Sequence, residues 1–161
     1  QAVVEVPLHQ VAVAGIGANT NVRSWSWSEM SKDPEKPACD LSQIALFRGC
    51  SHKFLSWIQD HLEAVLYHPD DVVVQESAAS DCMFIVVCGS VLVEGGEDRP
   101  PTSMKSGSTF CERRILEVFN EAAPMATAVE ITMLQVLHRK VFQRGVELFP
   151  QEQQHFDKVA V

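Results

Sequence analysis

The side chains best suited to chemistry in this chain are five cysteines, at positions 39, 50, 82, 88 and 111, and six histidines. A cysteine nucleophile needs a base such as histidine beside it, and no histidine adjoins Cys111 in the sequence. Zinc takes paired ligands at short spacing, yet there is no Cys-x-x-Cys. A metal-binding β-roll would want His-x-His with a carboxylate and a further His, and His-x-His is also missing. An odd cysteine count without pairing motifs points to reduced thiols rather than a disulfide framework. Gly15-Ile-Gly17 opens like a dinucleotide fingerprint, but Thr20 holds the third glycine position and no helical pattern follows. Neither a Gly-x-Ser-x-Gly elbow nor a phosphate-binding P-loop occurs. His52, His61 and His68 read as surface or cap residues. The chain is therefore expected to be non-enzymatic, without metal or cofactor.

The elements that would position any site must fit within 161 residues and 17.9 kDa, which suits one domain, or one domain and an arm. Shares of 46% hydrophobic and 21% charged residues are globular. Lys and Arg number 13 against 21 Asp and Glu, a net charge of −8. That balance disfavours a nucleic-acid backbone or an anionic membrane as main partner, while leaving room for one anion in a local positive pocket. The longest apolar run, Cys82 to Cys88, is seven residues, and a spanning helix needs roughly 20. Glu5, Pro7 and His9 interrupt any signal-peptide pattern. A first residue of Gln rather than Met suggests a fragment of something longer, and the reduced thiols suggest a cytoplasmic setting.

Residues 1–40 read as an arm or linker and 41–161 as the domain. In the arm, the Pro and charge cluster at 31–37 is linker-like, and Trp25 and Trp27 serve as anchors rather than as a base-stacking platform. Residues 41–68 read as helical. Leu41, Ile44, Ala45 and Phe47 form a short first helix ending near Gly49, and Ser51 caps a second. Phe54, Leu55, Ile58 and Leu62 lie on one face of that second helix. Pro69 stops the pattern. From 70 to 137 the runs at Val72–Val74, Met83–Val87 and Val91–Val93 read as short strands, and Thr127–Leu137 as a strand or two. Val141, Phe142, Val146, Leu148 and Phe149 then form one helix face. Pro150 opens a last helix that buries Phe156 and Val159. The expected fold class is α+β: a jelly-roll β-barrel (double-stranded β-helix) flanked by N- and C-terminal helices.

Several short motifs occur in one order. Leu46-Phe-Arg-Gly-Cys-Ser51 precedes Phe54-Leu55, and Tyr67-His-Pro-Asp-Asp71 follows. Then come Asp81-Cys-Met-Phe-Ile-Val-Val-Cys-Gly89-Ser-Val91, Gly107-Ser-Thr-Phe-Cys-Glu112 and Pro124-Met-Ala-Thr-Ala-Val129. From about Leu46 to Phe156 the chain resembles the cyclic nucleotide-binding domains of kinase regulatory subunits, gated channels and catabolite-activator-type regulators. The resemblance implies a cassette, a glycine turn and short helix whose backbone N–H groups cradle a cyclic phosphate. It also implies an Arg on that phosphate, a Glu on the ribose and a last helix that closes over the base. The candidate pocket is then Phe110, Cys111, Glu112, Arg113, Arg114, Met125, Ala126 and Thr127.

The departures are specific. Glu112 keeps the ribose carboxylate, but Met125 stands where the phosphate Arg would be, and a thioether cannot donate. Met125 is expected to fill a pocket no phosphate enters. Cys111 replaces the cassette glycine. Residues 115–119 lengthen the cassette, with an apolar face expected to tuck into the roll, where Ile115, Val118 or Phe119 could block the pocket. Asp70, Ser77 and Ser80 replace turn glycines of the family. The leading expectation is a non-catalytic regulatory domain of an intracellular signalling protein, with weak or no cyclic nucleotide binding. Its partner would be another protein or further domains of the same chain. The alternative is a working sensor of cAMP, cGMP or a purine nucleoside, using Glu112 with Arg113 or Arg114. Neither reading involves nucleic acid or membrane insertion.

Overall fold

The computed structural model describes residues 39–75, 81–95, 99–116 and 124–160, and residues 23–26 by their backbone. Expectations on the rest of the arm, on Ser77 and Ser80 and on Val118 and Phe119 lie outside the described residues. In chain order the strands are β1 (Arg23–Ser26), β2 (Glu63–Tyr67), β3 (Val72–Val74), β4 (Cys82–Cys88), β5 (Ser90–Glu94), β6 (Thr102–Lys105), β7 (Thr109–Phe110), β8 (Met125–Ala128) and β9 (Thr132–His138). The helices are α1 (His52–His61), α2 (Glu112–Ile115), α3 (Arg139–Leu148) and α4 (Gln153–Val159). Short 3-10 turns cover Leu41–Gln43, Ala45–Phe47 and Pro150–Glu152.

The strands form two antiparallel sheets, ordered β1-β2-β9-β4-β7 and β3-β8-β5-β6. This is a jelly-roll-like α+β fold with helices at both ends, and the roll stays open as two sheets rather than closing into a full barrel. The strand Arg23–Ser26 adds an edge to the larger sheet by pairing with β2.

The apolar run of β4 has a clear cause. Its period-2 faces are both covered. Cys82, Phe84 and Val86 face the roll interior with Val65, Tyr67, Val91, Phe110, Ala126, Ala128, Leu134 and Val136. Met83 and Ile85 face the helices with Phe47, Phe54, Ile58, Leu137, Phe142 and Phe156. So two cores share one strand. The turn after β4 needs Gly89, whose φ is +88°. A Cβ there would lie 2.5 Å from the Ile131 carbonyl oxygen, closer than real contacts allow.

Ser51 caps α1 as the sequence indicates, its hydroxyl accepting from the Phe54 N–H. Several expectations are corrected. The first helix is two 3-10 turns, because Ile44 between them is extended (φ −78°, ψ 128°). The helical pattern stops at His61 rather than near Pro69. Glu63–Tyr67 is a strand, held by pairing with β9 on one side and β1 on the other. Leu148 and Val159 were expected on buried faces but are exposed, and Phe142, Val146 and Phe156 carry the burial. Among the described residues no helix is long and apolar enough to cross a membrane.

Tyr67 is fully buried, and among the described residues its hydroxyl has no hydrogen-bond partner. Leaving a buried donor unmade costs about 1–3 kcal/mol. Burial, then the charges of Cys82, Glu63 and Asp71, raises the phenol above its ordinary value of 10. With the folded value raised, the unfolded chain ionises first as pH rises, so stability is lost above pH 10. Tyr67→Phe is therefore expected to stabilise the chain by about 1 kcal/mol at pH 7, and by more at pH 11. Urea unfolding at both pH values measures this. A variant less stable than the parent at pH 11 would contradict it.

Candidate functional site

The motif segments converge where β7 runs into α2. Phe110 is buried and stacks on Phe84, with ring centroids 5.0 Å apart and planes 12° apart. Cross-strand pairing of the two residues fixes that stack. The next residue, Cys111, adopts the left-handed conformation with φ +64°. Glycine takes this geometry without cost, and a cysteine holds it here at some strain. Asp70 does the same at φ +69° in the turn after Tyr67, helped by Asp71, whose carboxylate accepts from the His68 N–H.

Burial pushes the Cys111 thiol up to about 12, with Glu112 adding to the shift and the Arg114 guanidinium opposing it. The thiol is thus protonated at neutral pH and is no nucleophile. Glu112 opens α2 and is half-buried, and its carboxylate already accepts the Thr109 hydroxyl. Arg113 is exposed and Arg114 half-buried, and both take part in other interactions.

β8 carries the other half of the candidate site. Burial alternates along it: Ala126 and Ala128 are fully buried in the roll, Thr127 is half-buried and Met125 is 36% exposed. Met125 thus lies on the face of β8 opposite the buried alanines. Its cross-strand partner is Glu94, a carboxylate. Ile115 is corrected. It is buried in the helix-side core with Leu137 and Phe142 rather than in the roll, since α2 lies against β4 and α3. The last helix likewise buries Phe156 in the helix-side core and not across the roll.

One contact at this site was hidden from motif reasoning. Arg139 Nε donates to the Arg114 carbonyl oxygen at 2.8 Å, and its guanidinium lies 3.1 Å from Asp81. Arg139 thereby ties the end of α2 to the start of β4. An Arg at a strand-to-helix junction 25 residues from its partner carries no local signature in the sequence.

None of the protein-family models matches the chain. Over 124 residues, 74% of its length, the chain is 30% identical to the cyclic nucleotide-gated channel beta-1 of Homo sapiens, and the same holds for the Bos taurus protein. It spans only about a tenth of those channels. Among solved structures it resembles the regulatory domain of Toxoplasma gondii PKA in complex with cAMP, with a TM-score of 0.55 and 20% identity. That match covers 71% of this chain and 47% of the other. It also resembles a cyclic nucleotide-binding-like protein from Brucella abortus, with a TM-score of 0.58 and 19% identity. There the match covers 66% of this chain and 94% of that one.

Proposed function

Because the chain belongs to the cyclic nucleotide-binding domain family, we propose that it is a non-catalytic regulatory domain whose cassette binds cyclic nucleotide weakly or not at all. The observation that carries this reading is Met125. It is uncharged and partly exposed, at the position where the family places a guanidinium on the phosphate. Losing a charge-assisted pair costs about 2–5 kcal/mol, which turns a micromolar ligand into one of roughly 30 µM to several mM. Cys111 adds to this, since its side chain stands where backbone and phosphate would approach most closely. Glu112 adds further, since a ribose hydroxyl would have to share a carboxylate that Thr109 already engages. The domain works through a protein partner or through other domains of its own chain. It resides in the cytoplasm, where its five free thiols stay reduced.

Calorimetric titration tests the proposal. Cyclic AMP and cyclic GMP are each expected to give no saturable heat at low-micromolar concentration. Tight binding of either, abolished by Glu112→Ala, refutes the degenerate reading. Micromolar binding of an inosine-type nucleoside with no response to cyclic nucleotides would instead favour a phosphate-free ligand on Glu112.

A further inference from the structure

Three side chains from three neighbouring strands meet at the start of β4. Cys82 Sγ stands 3.2 Å from His138 Nδ1, and His138 Nε2 stands 2.8 Å from Glu63 Oε2. The backbone sets this grouping. Cys82 and His138 are direct cross-strand partners. Glu63 pairs with Val136, two residues from His138 and so on the same face of the sheet. Cys82 is 2% exposed, while the His138 and Glu63 side chains are 28% and 16% exposed. The sulfur thus lies beneath an imidazole at the rim of the roll.

A thiol, an imidazole and a carboxylate in series form the nucleophile, base and orienting acid of covalent catalysis. The contact with Cys82, then that with Glu63, raises the His138 imidazole to about 10 against the opposing effect of burial. A protonated ring presents one N–H to the sulfur and one to the carboxylate. The Cys50 and Cys111 thiols are both pushed up to about 12, chiefly by burial. The buried Tyr67 hydroxyl, which has no partner among the described residues, belongs to the same interior cluster and feels the charge of Cys82.

We propose that Cys82 is an oxidation site, whose sulfur, paired with His138 and oriented by Glu63, takes an oxygen atom from a small hydroperoxide. The near-complete burial of Cys82 selects the substrate class. That burial favours a small hydroperoxide over a polypeptide or a bulky electrophile as the oxidant. With the shared proton on His138 Nδ1, the sulfur lone pair attacks the terminal peroxide oxygen. An S–O bond forms as the O–O bond breaks. The departing oxygen takes the Nδ1 proton and leaves as water or an alcohol. Sulfur is oxidised by two electrons to a sulfenic acid, and the hydroperoxide is reduced by the same two. The site lies next to the cassette: Asp81 precedes Cys82, Arg139 follows His138, and Arg139 holds the Arg114 carbonyl.

The test treats the full chain with hydrogen peroxide, removes the peroxide with catalase, unfolds the chain in dimedone so that every sulfur is reachable, and reads labelling at each of the five cysteines by mass spectrometry. Cys82 is expected to label about 10-fold or more faster than Cys50 and Cys111. His138→Asn should slow Cys82 by about 10-fold or more, on the scale of a lost proton-transfer group, and Glu63→Gln should slow it less. Equal rates at all five cysteines of the unaltered chain overturn the proposal without any variant. So does a folded His138→Asn chain, checked by circular dichroism, that labels at the parental rate. Equally fast reaction of Cys82 with a bulky maleimide would overturn the assignment to hydroperoxides.

Discussion

Met125→Arg is expected to raise the affinity for cyclic AMP, and its carboxylate neighbour sets by how much. Restoring a guanidinium at this position offers the phosphate a charge-assisted contact of about 2–5 kcal/mol, or roughly 30-fold to several-thousand-fold in Kd. Glu94, however, is directly opposite on β5, where side chains are about 5 Å apart at Cβ. The introduced cation therefore has an anion beside it before any ligand arrives. The single variant should fall at the low end, near 30-fold. Met125→Arg combined with Glu94→Gln should exceed it, because the amide keeps the shape and removes the competing charge. Calorimetry on the two variants reads the difference. If neither binds better than the parent, the cause lies elsewhere, in the left-handed Cys111 or in residues 117–123, and the weight placed on Met125 is misplaced.

What the sequence could reveal follows from the range of the forces involved. Ser51 and the spacing of Phe54, Ile58 and Leu62 are local signals, and the helix and its cap are found where they indicate. The seven-residue run of β4 is equally legible, since only a strand buried on both faces tolerates it. Glu63–Tyr67 misleads because Val65 and Leu66 continue the helical spacing after Leu62. Its strand identity comes from β9, some 70 residues downstream. Leu148 and Val159 mislead because a helix face is wider than the surface that covers it. At the candidate site, motif order offers Glu112 and Met125 as candidates. It does not reveal that Thr109 engages Glu112, that Ile115 belongs to the helix-side core, or that Arg139 clamps Arg114. The Cys82–His138–Glu63 grouping is the extreme case, with partners 56 and 75 residues apart in sequence. No histidine adjoins Cys82 along the chain, and strand register alone brings one to it.

Phe156→Ala is expected to cost the most stability of any single truncation in α4. The ring is 2% exposed. It meets Phe142 at 4.8 Å, Phe54 at 5.6 Å and Phe47 at 6.2 Å between centroids. Removing a buried Phe costs about 3–5 kcal/mol, because α4 cannot collapse into a space framed by three other rings. For a chain of this length that corresponds to a fall in Tm of roughly 6–20 °C. The same helical segment is stapled by polar contacts. Buried Glu152 accepts the Ser51 N–H at 3.0 Å, and His155 Nε2 lies 3.0 Å from the Leu46 carbonyl. The two kinds of tie are separable. Glu152→Ala removes an acceptor and leaves the Ser51 N–H short of a partner, at about 1–3 kcal/mol. Glu152→Gln keeps an oxygen there and should cost less. Phe156→Leu should recover more than half of what Phe156→Ala loses. A fall under 1 kcal/mol for Phe156→Ala would mean that α4 rests on the N-terminal turns without belonging to their core. Any coupling from the cassette to residues beyond the last helix would then need another route.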